Sequence, residues 1–167
     1  VCAQLLEFAG TFMPELTPRI EFYTGPRPVF DLFGVEDDIR KALERKVQLK
    51  SGGYLIIDQT EALTTVDVNT GAYVGHRNLE ETIFRTNLEA AVTIARQLQL
   101  RNLGGIIIID FIDMLEAAHS RQVMDALVAS LAGDHGRAQI AAESPLGLVA
   151  MTRKRTRESL ERLMCKP

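Results

Sequence analysis

Apolar residues along this chain recur at helical spacing in some stretches and pack into short continuous runs in others. Val35, Ile39 and Leu43 stand at i, i+4 and i+8 between charged residues, which predicts a helix over 35–46. Its first turn holds Glu36, Asp37 and Asp38 and its last Arg45 and Lys46, as the helix dipole favours. Leu79, Ile83, Ala90, Ile94 and Leu98 fall on or near one face and predict a long amphipathic helix over 78–100. Asn78 with Glu81 has capping-box spacing at its start, and Asn102 with Gly104 and Gly105 ends it. Val123, Leu127 and Leu131 predict a further helix over 115–131, stopped at Gly133. A helix over 1–12 and a basic one over 153–164 flank the chain.

The short runs read as strands. Residues 54–58 and 63–68 predict a hairpin around the turn at 59–61, after a turn at Ser51, Gly52 and Gly53. The apolar run 106–109 suits a strand buried on both faces. Residues 137–142 and 146–151 read as two more strands around Ser144 and Pro145. Strand 63–68, the long helix and strand 106–109 make a βαβ unit, so the two strands are expected to run parallel. Between the first helix and this region, Pro14, Pro18, Gly25, Pro26 and Pro28 exclude a continuous helix. That stretch is expected to be an extended connector between a small N-terminal piece and an α/β main domain.

Composition narrows the class. At 167 residues the chain is long enough for one well-cored domain, and 46% apolar with 25% charged residues is ordinary for a globular protein. No apolar run nears the roughly 20 residues needed to span a bilayer. The start, Val-Cys-Ala-Gln, does not resemble a signal peptide and has no initiator Met, so the chain is read as a piece of a longer protein. Net charge is −3, which does not favour nucleic acid, but Arg153, Lys154, Arg155 and Arg157 cluster near the end. That cluster reads either as a solvated helix end or, with Arg137, as a set of phosphate contacts. Cys2 and Cys165 are too few and too far apart for a disulfide framework.

The candidate chemistry lies in two carboxylates. Asp67 and Asp110 each end a strand-like run, and parallel neighbours would bring both to the edge where open α/β sheets bind ligands. Mg²⁺ takes oxygen ligands, commonly one or two carboxylates together with substrate phosphate oxygens. Asn69, two residues beyond Asp67, faces the same side of an extended chain. The competing reading is structural, since aspartates at strand ends often cap the next helix. Asp113 with Glu116 has that capping spacing, and Asp58 reads as turn chemistry. Tyr73 is a candidate for stacking on a base, whereas Phe111 follows a core strand and is expected to be buried. His76, His119 and His135 are scattered and read as surface residues; no P-loop or dinucleotide fingerprint occurs.

Several blocks resemble the ribonuclease E/G family: Ser-Gly-Gly-Tyr-Leu-Ile-Ile-Asp-Gln-Thr-Glu-Ala at 51–62, Thr-Val-Asp-Val-Asn-Thr-Gly at 65–71 and Gly-His-Arg-Asn-Leu-Glu-Glu-Thr at 75–82. So do Thr-Asn-Leu-Glu-Ala at 86–90, Ala-Arg-Gln-Leu at 95–98 and Arg-Asn-Leu-Gly-Gly-Ile-Ile-Ile-Ile-Asp-Phe-Ile-Asp-Met at 101–114. Met-Thr-Arg-Lys-Arg-Thr-Arg-Glu-Ser-Leu at 151–160 points to the ribonuclease G branch.

The resemblance implies a Mg²⁺-dependent endoribonuclease for single-stranded RNA, preferring a 5′-monophosphate and leaving 5′-phosphate and 3′-hydroxyl ends. Its biological setting would be rRNA 5′-end maturation and mRNA decay in the bacterial cytoplasm. Asp67 and Asp110 match the metal-holding aspartates, Asn69 the asparagine at the scissile phosphate, and Arg137 a basic residue near the pocket for the RNA 5′ end. Cys165 matches the first cysteine of a Cys-x-x-Cys link through which two subunits share Zn²⁺, so Zn²⁺ and a homodimer or higher oligomer are expected of the full-length protein. The fold implied is a DNase I-like catalytic subdomain over 43–164, preceded over 1–42 by the tail of an RNase H-like subdomain and a connector, with 165–167 beginning the zinc link. Ala150 stands where the family motif has glutamate and Arg85 where a small polar residue or lysine is usual. Because the RNA-binding parts would precede Val1, the piece alone is expected to bind RNA weakly and cut poorly. Two other readings compete: a non-catalytic RNA-binding or assembly module of the same fold, and a Mg²⁺ phosphohydrolase acting on a small substrate.

Overall fold

The computed structural model describes residues 1–71, 79–141, 144 and 147–165. In chain order its elements are α1 (Cys2–Phe12), a 3-10 helix (Pro14–Arg19), α2 (Val29–Leu32), α3 (Val35–Leu43), β1 (Lys46–Gln48), β2 (Tyr54–Gln59), β3 (Leu63–Asn69), α4 (Leu79–Leu100), β4 (Gly105–Asp110), α5 (Ala117–Leu131), β5 (Gln139–Ile140), β6 (Leu148–Arg153) and α6 (Leu160–Met164). The expected starting cap Asn78 and the turn residue Pro145 lie outside the described residues. Two compact units result, residues 1–39 and 40–167.

In the first unit, α1 buries Ala9 and packs Phe8 against Phe12 with ring centroids 4.8 Å apart. The segment expected to be extended throughout instead opens with the 3-10 helix. Pro14 sits at its first position, where the fixed φ suits a helical turn and the missing N–H would have gone unbonded. The extended part is confined to residues between Ile20 and Pro28.

The second unit is built on one mixed sheet of six strands in the order β1-β2-β3-β4-β6-β5. β3 and β4 are parallel, as the βαβ spacing predicts, and β2 and β3 form the expected hairpin. Every strand residue in the core cluster (Leu55, Ile57, Val66, Val68, Ile107, Ile109, Val149 and Met151) lies on one face at period two. That face meets Ala90, Ala91, Ile94, Ala95 and Leu98 of α4 together with Val123, Leu127 and Leu131 of α5. Burying each such branched side chain is worth about 1.5–3 kcal/mol relative to exposure. Because α4 and α5 pack on the same side, the other face of β4 is not buried as expected. Ile106 there is 51% exposed and Ile108 half-buried.

Four expected elements differ in extent. α3 stops at Leu43, and Lys46–Gln48 forms strand β1, because Val47 gains a place opposite buried Leu55 in the sheet. The strand expected over 137–142 is only Gln139–Ile140: Arg137 adopts a left-handed φ of 48°, which no strand accommodates. β6 begins at Leu148 rather than 146. The basic helix expected over 153–164 is reduced to Leu160–Met164. Arg153 continues the inward alternation of Val149 and Met151, so it belongs to the strand.

The chain after β6 is then held away from helical geometry by Asn102, whose Nδ2 donates to the carbonyls of Arg157 at 2.5 Å and Glu158 at 3.2 Å. Asn102 also ends α4 as expected. Its φ is 48°, and the Leu103 N–H donates to the Leu98 carbonyl at 3.0 Å, the longer bond of a Schellman motif.

Candidate active site

The ladder between β3 and β4 pairs Asp67 with Asp110 directly. Strand spacing therefore fixes their Cα atoms about 4.8 Å apart. Both belong to the alternate set that faces away from α4 and α5, and both are exposed at the C-terminal ends of their strands. Asn69 follows on the same face, and its Nδ2 donates to Asp67 Oδ2 at 2.9 Å. Burial, then the negative charges of Asp67 and Asp113, push the Asp110 carboxyl above its ordinary pKa. Among the described residues no lysine or arginine pairs with either acid. Like charges held side by side favour a cation between them.

The donors suit a hard one. Among the described residues no three His, Cys, Asp or Glu side chains converge into a closed metal cage. What is present is an open pair of carboxylates flanked by an amide, with oxygens directed to one side. Mg²⁺ binds in this way, keeping its remaining positions for water and substrate phosphate. Asp67 and Asp110 would hold it.

Residues that sequence reasoning passed over position this pair. Asn87 of α4 is fully buried, donates from Nδ2 to the Ile112 carbonyl at 2.7 Å and accepts the Ile112 N–H at 3.1 Å. It thereby fixes the chain as it leaves Asp110. A signal was available: Asn87 falls on the buried stripe of Ala91, Ile94 and Leu98, where a polar side chain needs a partner. Glu80 accepts the N–H groups of Leu115 at 3.1 Å and Glu116 at 3.2 Å. Its own burial opposes the charge, but those donors and His119 outweigh it and lower its pKa.

Several expectations change accordingly. The N-cap of α5 is Glu116 with no side-chain bond of its own, so Asp113 is not the cap. Glu80 serves that end from α4, and Asp113 is left exposed near the acidic pair. His119 is not a free surface residue: it stacks on Phe84 with centroids 4.2 Å apart and lies 3.3 Å from Glu80. His135 is exposed, as expected. Asp58 does not serve the turn but pairs with Arg45 through two bonds of 2.5 and 2.6 Å. Phe111 is buried, as expected. Tyr73, His76 and Arg77 lie outside the described residues.

The basic candidates are elsewhere. Arg137, Lys154, Arg155 and Arg157 are exposed. Arg137 and Lys154 line an open hollow of about 460 Å³ with Ile106 and Thr152. That hollow is at the N-terminal end of β4, four residues or about 13 Å along the strand from Asp110. Arg153, expected as a phosphate contact, is not available for one. It is 5% exposed, bound to Asp134 at 2.7 and 2.8 Å and to the Leu103 carbonyl at 2.6 Å, so its charge is spent inside the protein. Cys165 is a free, exposed thiol after α6, and Cys2 a free, half-buried one.

The family model for the Ribonuclease E/G family matches residues 1–156. The chain belongs to the ribonuclease E/G family. It is similar to ribonuclease G of Salmonella typhimurium and of Escherichia coli K12, with 63% identity over 161 residues in each case. That alignment takes in 96% of this chain and 33% of each relative, so the chain spans about a third of those proteins. Ribonuclease E of Escherichia coli K12 is 46% identical over 147 residues, 88% of this chain and 14% of that protein. No described helix of this family member is long and apolar enough to cross a membrane.

Proposed function

We propose that this chain carries the catalytic centre of a Mg²⁺-dependent endoribonuclease acting on single-stranded RNA. One observation carries the reading: the parallel ladder sets Asp67 beside Asp110 on an open sheet face, with Asn69 bonded to Asp67, in a ribonuclease E/G chain.

Bound Mg²⁺ supplies an acidified water and neutralises charge on phosphoryl oxygens. Asp67 and Asp110 would hold Mg²⁺, and the β3–β4 ladder keeps the two carboxylates side by side. The Asn69 amide fixes one Asp67 oxygen and so the orientation of the carboxylate. The open face leaves room for an RNA strand to lie across both acids. Hydrolysis at the P–O3′ bond yields 5′-phosphate and 3′-hydroxyl ends. Arg137, Lys154, Arg155 and Arg157 gather RNA by charge from the far end of the sheet, a contribution indifferent to base sequence.

We assign 43–164 to a DNase I-like catalytic subdomain and 1–42 to the tail of an RNase H-like one. In the full-length cytoplasmic protein, Cys165 contributes to a Zn²⁺ link between subunits; a tetrahedral thiolate site shared by two chains takes two cysteines from each. A preference for 5′-monophosphorylated RNA, and roles in rRNA maturation and mRNA decay, go with this assignment.

The test is cleavage of a defined 5′-monophosphorylated single strand by the full-length protein, wild type against Asp110→Asn, with and without Mg²⁺. Cutting is expected only for wild type with Mg²⁺. Cleavage retained by Asp110→Asn would remove that carboxylate from the mechanism.

A further inference from the structure

The row of the sheet that contains the acidic pair continues to the edge of the sheet at β1. Lateral partners in register run Lys46, Ile56, Asp67, Asp110, Leu148. Paired residues share a face, so Lys46 stands on the same open face as the two acids, two strands from Asp67 or about 10 Å. The next row runs Gln48, Tyr54, Asn69. Tyr54 is thus the direct cross-strand neighbour of the asparagine that binds Asp67.

Two features make Lys46 more than a solvated edge residue. Its Nζ lies 3.9 Å from the centroid of the Tyr54 ring, over its face. A cation–π contact of this kind restrains a side chain that otherwise loses much rotamer freedom on binding. Among the described residues no carboxylate pairs with it, whereas the neighbouring Arg45 is committed to Asp58. A restrained ammonium therefore stands in the same row of the sheet as the carboxylate pair, two strands away. A strand of RNA laid along this row, with one phosphate at Asp67 and Asp110, would bring a neighbouring phosphate toward β1.

We propose that Lys46, held by the Tyr54 ring, contacts a backbone phosphate adjoining the scissile one, and that Tyr54 is its positioning residue. The inference rests on the reading of Asp67 and Asp110 as the nuclease centre. The ligand is a phosphodiester rather than a base, because the tyrosine face is covered by the ammonium. Ile56 between Lys46 and Asp67 supplies no charge, so the two phosphates are met by separate groups.

The experiment uses the full-length enzyme and single-stranded RNA of defined cut site, in natural form and with one neutral methylphosphonate at each linkage adjoining the cut in turn. Lys46→Ala should raise KM roughly three- to tenfold, in the range of an exposed charged contact, with kcat unchanged. The salt dependence of RNA binding should weaken by about 0.7 in logarithmic slope, the share of one phosphate on a single strand. With the neutral linkage at one adjoining position, wild type and Lys46→Ala should become equal. Lys46→Arg should keep the wild-type KM, Tyr54→Phe should be neutral, and Tyr54→Ala should show part of the lysine defect.

An unchanged KM for Lys46→Ala, or a defect that persists with every neutral linkage, overturns the proposal. Loss in Lys46→Arg equal to that in Lys46→Ala overturns it as well. Failure of the nuclease reading shows separately, as Mg²⁺-dependent cutting by Asp110→Asn.

Discussion

Asn87→Ala tests whether the scaffold sets the chemistry. The substitution deletes both bonds to Ile112, at 2.7 and 3.1 Å, and leaves the Ile112 N–H and carbonyl without their partner. A buried polar group left unpaired costs about 1–3 kcal/mol. Ile112 is only half-buried, so water recovers part of that, and the expected cost for the two groups is about 2–3 kcal/mol. The loss falls on local opening of the segment after β4 rather than on the core, because Ala90, Ala91 and Ile94 still seat α4.

Hydrogen exchange of full-length protein, read on peptides covering 110–116, should lose protection by about 30- to 150-fold, the same energy expressed as a ratio. Asp110 then samples positions off the register with Asp67. A misplacement of about 1 Å is able to cost 100-fold in rate, so kcat should fall by at least tenfold and half-saturation by Mg²⁺ should rise. Exchange that accelerates as stated while kcat and the Mg²⁺ titration stay at wild-type values would refute the positioning role.

Three further outcomes are expected. Arg153→Ala strands Asp134 in the interior and should destabilise the protein by about 3–5 kcal/mol in urea unfolding, whereas Arg153→Met with Asp134→Leu should recover most of it; equal stability of single and double variants would refute the pairing. Bonding to Arg153 holds the Asp134 pKa below its ordinary value, so this stabilisation is present above the unfolded carboxyl pKa of about 3.9 and is lost as acid titrates the folded form. Unfolding followed from pH 6 to pH 2 should show a shallower acid loss in Asp134→Asn; an identical slope would exclude the linkage. Gly104→Ala would bring a Cβ to 2.8 Å from the Arg153 carbonyl oxygen, a backbone atom that cannot swing aside. It should cost about 1–3 kcal/mol in the same unfolding assay, and a neutral result would contradict that packing.

The central βαβ unit and its acids were legible because their signals are long and repeated: a helix of many turns between two apolar runs, each closed by an aspartate. What could not be read was which residues stand side by side. Whether Asp67 faces Asp110 or a neighbour is a matter of ladder register, which depends on the whole sheet. β1 is hidden in the sequence because three residues give no measurable period, and Lys46 reads as the charged end of α3. Arg153 reads as part of a basic surface because four of five residues over 153–157 are charged. Its spacing of two from Met151 and four from Val149 is the strand signal that the charge obscured. The connector hid its 3-10 helix because proline excludes an α-helix interior yet favours the first turn of a helix.

Asp67 and Asp110 belong to the third and fourth of six strands, whereas Lys46 and Arg137 attend the two outer ends of the order. Sheets come apart from their margins, where ladder bonds are made on one side only, and their middle strands open last. If Lys46 and Arg137 hold a long ligand as proposed, gentle heat or denaturant should loosen that hold before it disturbs the pair of acids. Chemistry on whatever still docks would survive until the whole sheet melts. A change at the margins would retune what is held, whereas a shift of a single ladder position at the centre would send an acid into the oily side of the sheet.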